Sequence, residues 1–146
     1  MPDILVIHGA NLSLLGEREK EIYGRSTLED INKSIEDLCE TLDLTVEIFQ
    51  SNHEGVIIDK IIERVHQAKV IIINPGAFTH YSYAIRDCIA GVGTPAIEVH
   101  LTNIFARDAF RANSVIAPIC TGQISGFGPD SYIAAVHMAK KIIDKV

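Results

Sequence analysis

The feature that most constrains this chain is an alternation along its length. Short runs of β-branched and other apolar residues, each of strand length, are separated by segments whose apolar residues recur at helical spacing. Residues 3–8 read as a buried strand, 45–50 as an alternating one, 70–74 as a continuous apolar run stopped by Pro75-Gly76, and 96–100 as a fourth strand. Residues 114–119 are the remaining candidate for a last strand, with Pro118 weakening its end. Between them, Leu28, Ile31, Ile35, Leu38 and Leu42 form a helical stripe behind a capping box, Ser26-Thr27-Leu28-Glu29. Ile57, Ile58, Ile61, Ile62 and Val65 form another within a helix expected over 56–69. Helices over 83–90 and 131–145 complete the pattern, the last with Lys140, Lys141 and Lys145 at its electronegative end.

Strands alternating with helices imply a parallel sheet covered on both faces. A chain of 146 residues is too short for a (β/α)₈ barrel, which takes ~250. The expected fold is therefore α/β: a flavodoxin-like, doubly wound, five-stranded parallel sheet with helices on both faces, in one domain spanning 1–146. In such sheets ligands bind beyond the carboxyl ends of the strands, which says where to look for chemistry.

Charge and composition narrow the function classes. Against 19 Asp and Glu stand 13 Lys and Arg, a net charge of -6 that argues against a nucleic-acid partner held by a broad basic face. A local arginine cluster can still favour a small anion. No apolar run approaches the ~18 residues of a membrane span, and the first residues carry no basic, apolar leader, so a cytoplasmic protein is expected. Cys39, Cys88 and Cys120 are odd in number and widely spaced, which suits a reducing compartment with inert thiols.

Three strand ends concentrate polar groups. The first strand leads into His8-Gly9-Ala10-Asn11 and a connection running past Arg18 and Tyr23 to Arg25, far beyond the ~2–6 residues of an ordinary βα loop. The third ends in Asn74-Pro75-Gly76-Ala77-Phe78-Thr79-His80, the fourth in Glu98-Val99-His100-Leu101-Thr102. Arg107 and Arg111, one helical turn apart, can share a face. Glu98 and His100 are two apart on a strand, so their side chains leave the same face, where a carboxylate can set the imidazole's tautomer. Each feature also has a plain reading: Tyr23 as a loop aromatic, 17–21 as a solvated charged loop, the arginines as surface ion pairs, Asp87 as a helix-surface carboxylate, and the histidines as structural. Gly91-Val92-Gly93-Thr94-Pro95-Ala96 matches a dinucleotide pattern but precedes a strand instead of following one. Gly126 and Gly128 lack the rest of a phosphate loop, and no metal spacing supports ligation by His80, His100 and Glu98. A small-molecule enzyme, a flavodoxin-like module for flavin or nucleotide, and a structural oligomer with a degenerate site all share this fold.

Taken in order, these segments resemble the type II 3-dehydroquinate dehydratases from the first strand to the final helix. The resemblance rests on His8-Gly9-Ala10-Asn11-Leu12-Ser13-Leu14-Leu15-Gly16 with Arg18 and Tyr23-Gly24, on Asn74-Pro75-Gly76-Ala77 with His80, and on Glu98-Val99-His100 with Arg107 and Arg111. Ala10, Ser13 and Lys20 depart from that family's usual Pro, Asn and Pro, all within the first loop. The resemblance implies a hydro-lyase of the shikimate pathway, with quinate breakdown the other setting of the same reaction. It would convert 3-dehydroquinate to 3-dehydroshikimate through an enolate, without metal or cofactor. Tyr23 would be the base and His100 the acid, with Arg18, Arg107, Asn11 and Glu98 assisting. Asn74, His80, Arg111 and the amides of Leu101 and Thr102 would bind substrate. Asp87 would reach a neighbouring subunit's site in a homododecamer built as a tetramer of trimers. A free tyrosine ionises near pH 10, so a phenolate at neutral pH costs about 4 kcal/mol, and a nearby Arg18 would offset part of it.

Overall fold

The structure, a computed structural model, describes residues 1–17 and 20–146, with Lys20 and Tyr23 described by their backbone. Its elements are β1 (Ile4–His8), α1 (Lys20–Tyr23), α2 (Leu28–Thr41), β2 (Val46–Gln50), α3 (Glu54–Glu63), β3 (Val70–Asn74), α4 (Tyr83–Val92), β4 (Ala96–His100), β5 (Gly122–Ser125) and α5 (Asp130–Asp144), with short 3-10 turns in the loops. The strands lie in the order β2-β1-β3-β4-β5 and every pairing is parallel. This is the flavodoxin-like doubly wound arrangement.

Period-two alternation then assigns each strand residue to a face. Ile4, Val6, Val70, Ile72, Ile97 and Val99 pack with Ile31 and Ile35 of α2 and with Tyr132, Ala135 and Val136 of α5. Leu5, Ile7, Ile71, Ile73 and Ala96 pack on the other side with Ile57 and Ile61 of α3 and Ile85 and Ile89 of α4. Continuing the same parity to the strand ends sends His8 and Asn74 toward α2 and α5, and Glu98 and His100 toward the α3/α4 side. The division of labour at the site follows from this parity.

Three local expectations are corrected. The capping box sits one residue later: Thr27 takes extended backbone, its hydroxyl accepts from Asp30 N (3.1 Å), and the Asp30 carboxylate accepts from Thr27 N (3.0 Å). The helix expected over 56–69 begins at Glu54 and ends at Glu63, leaving Val65 outside it. There the Arg64 carbonyl accepts from Gln67 N and Ala68 N, while its guanidinium is held by Glu47 of β2 at 2.5 Å, so the chain turns toward β3. Residues 114–119 are not a strand. Ser114 turns inward toward Glu98, Ile116 is buried in the α3/α4 core, and Ala117–Ile119 is a 3-10 turn whose Pro118 needs no ladder donor. The edge position belongs to the short, half-exposed Gly122–Ser125, which has no apolar run to announce it.

Among the described residues no helix is long and apolar enough to cross a membrane. The three cysteines are free, and burial pushes the Cys39 thiol up to about 11 and Cys120 up to about 12, so both stay protonated at neutral pH.

Candidate active site

The loops after β1 and β3 cross in contact at the carboxyl edge of the sheet, and two glycines make the crossing possible. A Cβ on Gly9 would lie 2.3 Å from the Pro75 carbonyl oxygen. Gly76 has φ +62°, and a Cβ there would meet the Ala10 carbonyl oxygen at 2.8 Å. Next to this crossing Asn11 also adopts the left-handed conformation, which asparagine tolerates better than most residues. Beyond it opens a polar cavity of about 130 Å³, floored by Asn74 and His100 and walled by His80, Arg107 and Arg111. An apolar cavity of roughly 150 Å³ holds one benzene ring, so the space suits a single small ring.

Glu98 is wholly buried beneath His100. Its carboxylate accepts hydrogen bonds from Thr79 Oγ1 (2.5 Å) and Ser114 Oγ (3.0 and 3.2 Å), and is paired with His100 Nε2. Ser114 Oγ is itself oriented by the amides of Ile116 (3.2 Å) and Ala117 (2.9 Å). Burial by itself would raise the Glu98 carboxyl. The hydrogen bond and charge of His100, with the two hydroxyls, outweigh burial and hold Glu98 below the usual carboxylate range. An ionised, fully hydrogen-bonded carboxylate therefore sits under an imidazole at the cavity floor, leaving Nδ1 as the ring nitrogen not engaged by Glu98.

On the wall, His80 Nδ1 donates to the Asn113 carbonyl at 2.8 Å. A carbonyl can only accept, so Nδ1 carries the hydrogen and Nε2 is left for a ligand. The His80 ring is packed edge-on to Phe110 at 5.5 Å, and the Arg111 guanidinium lies 4.7 Å over the same phenyl ring. Arg111 Nε is buried, and no described group completes a hydrogen bond to it; the nearest carboxylate, Asp108, is 3.6 Å away. Arg111 as a residue still lines the cavity, where its guanidinium brings donors to an acceptor.

Sequence expectations meet this geometry unevenly. Asn11, Asn74, His80, His100, Leu101, Thr102, Arg107 and Arg111 all line the cavity, and Glu98 lies directly behind it. Arg107 and Arg111 share the site without sharing a helix. Arg107 is extended after a 3-10 turn, Ile104–Ala106, and Arg111 lies in another, Ala109–Ala112. After Leu101 and Thr102 the chain enters that three-residue turn, which is capped by Asn103 Oδ1 accepting from Phe105 N. Arg107 Nη1 donates to Thr102 Oγ1 at 3.3 Å. Asp87 is exposed on α4 and does not line the cavity. Arg18 and the Tyr23 side chain lie outside the described residues; the neighbouring Glu21, Ile22 and Gly24 border a second cavity shared with Thr102 and Arg107. Thr79, Ser114, Tyr132 and Asn32 escaped the sequence reading. Only Thr79, adjacent to His80 in a strand-end loop, carried any signal.

A doubly wound parallel sheet with imidazole, amide and guanidinium groups converging beyond its carboxyl edge defines an α/β protein built to hold a small polar molecule. Comparison with known proteins makes this specific. Residues 2–140 match the family described as dehydroquinase class II. The 3-dehydroquinate dehydratase of Caldicellulosiruptor bescii is 60% identical over 99% of this chain and 100% of that protein. That of Caldicellulosiruptor saccharolyticus is 54% identical over 98% and 99%. The crystal structure of type II dehydroquinase from Butyrivibrio crossotus superposes with a TM-score of 0.92 at 51% identity, covering 93% of this chain and 95% of that one. The chain belongs to the class II dehydroquinase family. It is thus an enzyme, and the flavin- or nucleotide-binding alternative falls away.

Proposed function

We propose that this chain is a 3-dehydroquinate dehydratase that removes water from 3-dehydroquinate in the cavity above His100, as a step of the shikimate pathway. A Tyr23 phenolate takes the proton from the carbon beside the ketone, and the electron pair moves into an enolate. As the enolate collapses, the carbon–oxygen bond on the far side breaks and the imidazolium of His100 protonates the departing hydroxyl, which leaves as water. Tyr23 ends protonated and His100 neutral, and one proton returned from the first to the second resets the site.

The observation that carries this reading is the buried Glu98 carboxylate paired with His100 at the cavity floor. The carboxylate holds the imidazole ring in place at the floor, and a general acid must be held within reach of the group it protonates. Arg18 and Arg107 favour the phenolate, and Asn11 stabilises the enolate oxygen. Asn74, His80 through Nε2, and the guanidinium of Arg111 hold substrate hydroxyls. The amides of Leu101 and Thr102 receive the substrate carboxylate. Asp87 acts at a neighbouring subunit's site within a dodecamer of four trimers; the exposed Tyr81 and Tyr83, beside it at the start of α4, supply apolar surface for such an interface.

The test is direct. Purified protein mixed with 3-dehydroquinate should generate the enone absorbance of 3-dehydroshikimate, and absence of product from pH 6 to 9 in assembled protein would overturn the proposal. Borohydride added with substrate should leave activity intact, since no lysine imine forms; inactivation with a trapped adduct would replace this mechanism with another.

A further inference from the structure

Beneath the cavity lies a second polar cluster, in which Asn74 is joined by two residues that the reaction does not use, His8 and Tyr132. His8, Asn74 and Tyr132 are buried, and they sit on the opposite side of the sheet from Glu98. His8 and Asn74 are register partners at the ends of β1 and β3, and Tyr132 reaches them from the first turn of α5. Tyr132 OH lies 2.8 Å from His8 Nδ1 and 3.0 Å from Asn74 Nδ2, and His8 Nε2 lies 2.8 Å from Asn32 Oδ1 of α2.

Donor and acceptor chemistry gives this chain of contacts one direction. Asn32 Oδ1 can only accept, so His8 Nε2 carries the hydrogen. Burial strips the imidazole of its charge, lowering it from 6.5 to about 4, so at neutral pH Nδ1 is a bare acceptor. Tyr132 therefore donates its hydroxyl hydrogen to His8 and accepts from Asn74 Nδ2. Burial also raises the Tyr132 phenol, which keeps that hydrogen in place. At the far end, Asn74 Oδ1 accepts from Gly76 N at 3.1 Å. Both ends of the Asn74 carboxamide are thus held, and its plane cannot flip without breaking a buried bond. One Nδ2 hydrogen and one Oδ1 lone pair remain for the cavity.

We propose that His8 and Tyr132 are positioning residues, which set the orientation of the Asn74 carboxamide and so the binding of a substrate hydroxyl. This inference rests on the reading above in which Asn74 touches 3-dehydroquinate. A hydrogen-bonded network that over-determines a side chain is how a binding group is kept in its productive rotamer.

The experiment is a double-mutant cycle between Tyr132→Phe and Asn74→Ala, read in KM and kcat with 3-dehydroquinate. Tyr132→Phe should raise KM about tenfold, the worth of one lost hydrogen bond, and change kcat less than about threefold. Asn74→Ala should raise KM at least as much, and the double variant should be no worse than Asn74→Ala alone, because Tyr132 acts only through Asn74. His8 gives an independent route should Tyr132→Phe fold poorly. His8→Leu should raise KM about tenfold, whereas His8→Asn, whose amide oxygen falls near the Nδ1 position, should restore it. Normal KM in Tyr132→Phe with an impaired Asn74→Ala, or additive effects in the double variant, would overturn the positioning role alone. Normal KM in Asn74→Ala would overturn both this inference and the assignment of Asn74 to substrate.

Discussion

Glu98 and His100 lie two residues apart on β4 and are joined by a buried contact between carboxylate Oε2 and imidazole Nε2. The arrangement follows from strand geometry, since alternate residues share a face, and from the complete burial of Glu98. With the carboxylate also held by Thr79 and Ser114, the imidazole cannot rotate away without abandoning a buried charge. Glu98→Gln should therefore lower kcat by about 10²-fold with a much smaller change in KM, the scale of a disabled general acid. Steady-state kinetics on the folded variant decide it; an unchanged kcat would remove Glu98 from the mechanism.

Tyr23→Phe removes the phenol and leaves the ring. If this group is the base, kcat should fall by ~10²–10⁴-fold while calorimetry still detects 3-dehydroquinate binding. Turnover near the wild-type rate would require a different base.

The crossing of the β1 and β3 loops predicts a stability effect linked to binding. Gly76→Ala combines a positive φ with a Cβ 2.8 Å from the Ala10 carbonyl oxygen, and should cost ~1–3 kcal/mol in denaturant unfolding together with a raised KM. At Gly9 the contact is 2.3 Å from a carbonyl oxygen, so Gly9→Ala should cost at least as much. Wild-type stability in both variants would contradict the packed crossing.

Acid stability should report on His8. Above pH 6.5 the imidazole is neutral in the folded and unfolded chain, and its burial has no pH-linked cost. Between pH 6.5 and about 4 the unfolded chain takes up a proton that the folded one refuses, so stability falls by ~3 kcal/mol across that window; below it both states carry the proton. Glu98, held below its ordinary 4.5, loses its own contribution only at lower pH, outside most of the window in which His8 acts. Thermal unfolding of His8→Asn should therefore show a flatter pH dependence there than wild type. Identical slopes would show that His8 titrates normally in the folded protein.

Asp87→Ala tests the shared site. Sedimentation of the variant should show a smaller assembly, or its KM should rise, since no other described feature gives this exposed carboxylate a part in the cavity. Normal assembly together with normal KM would confine Asp87 to its own surface.

What the amino-acid sequence determined by itself was whatever depends on near neighbours along the chain. Strand and helix alternation specified the parallel sheet, because residues such as Val70 to Asn74 have no local alternative to a buried strand. Parity placed Glu98 and His100 on one face, and the strand-end rule placed Asn74 and His80 near them. Tertiary structure alone decided what surrounds those groups. Ser114 reaches Glu98 from a segment whose apolar run resembled a strand, and Tyr132 meets Asn74 across 58 positions of chain. Hydrogen-bond partners of that kind leave no periodic trace, since a single donor facing a single acceptor is fixed by how the layers pack.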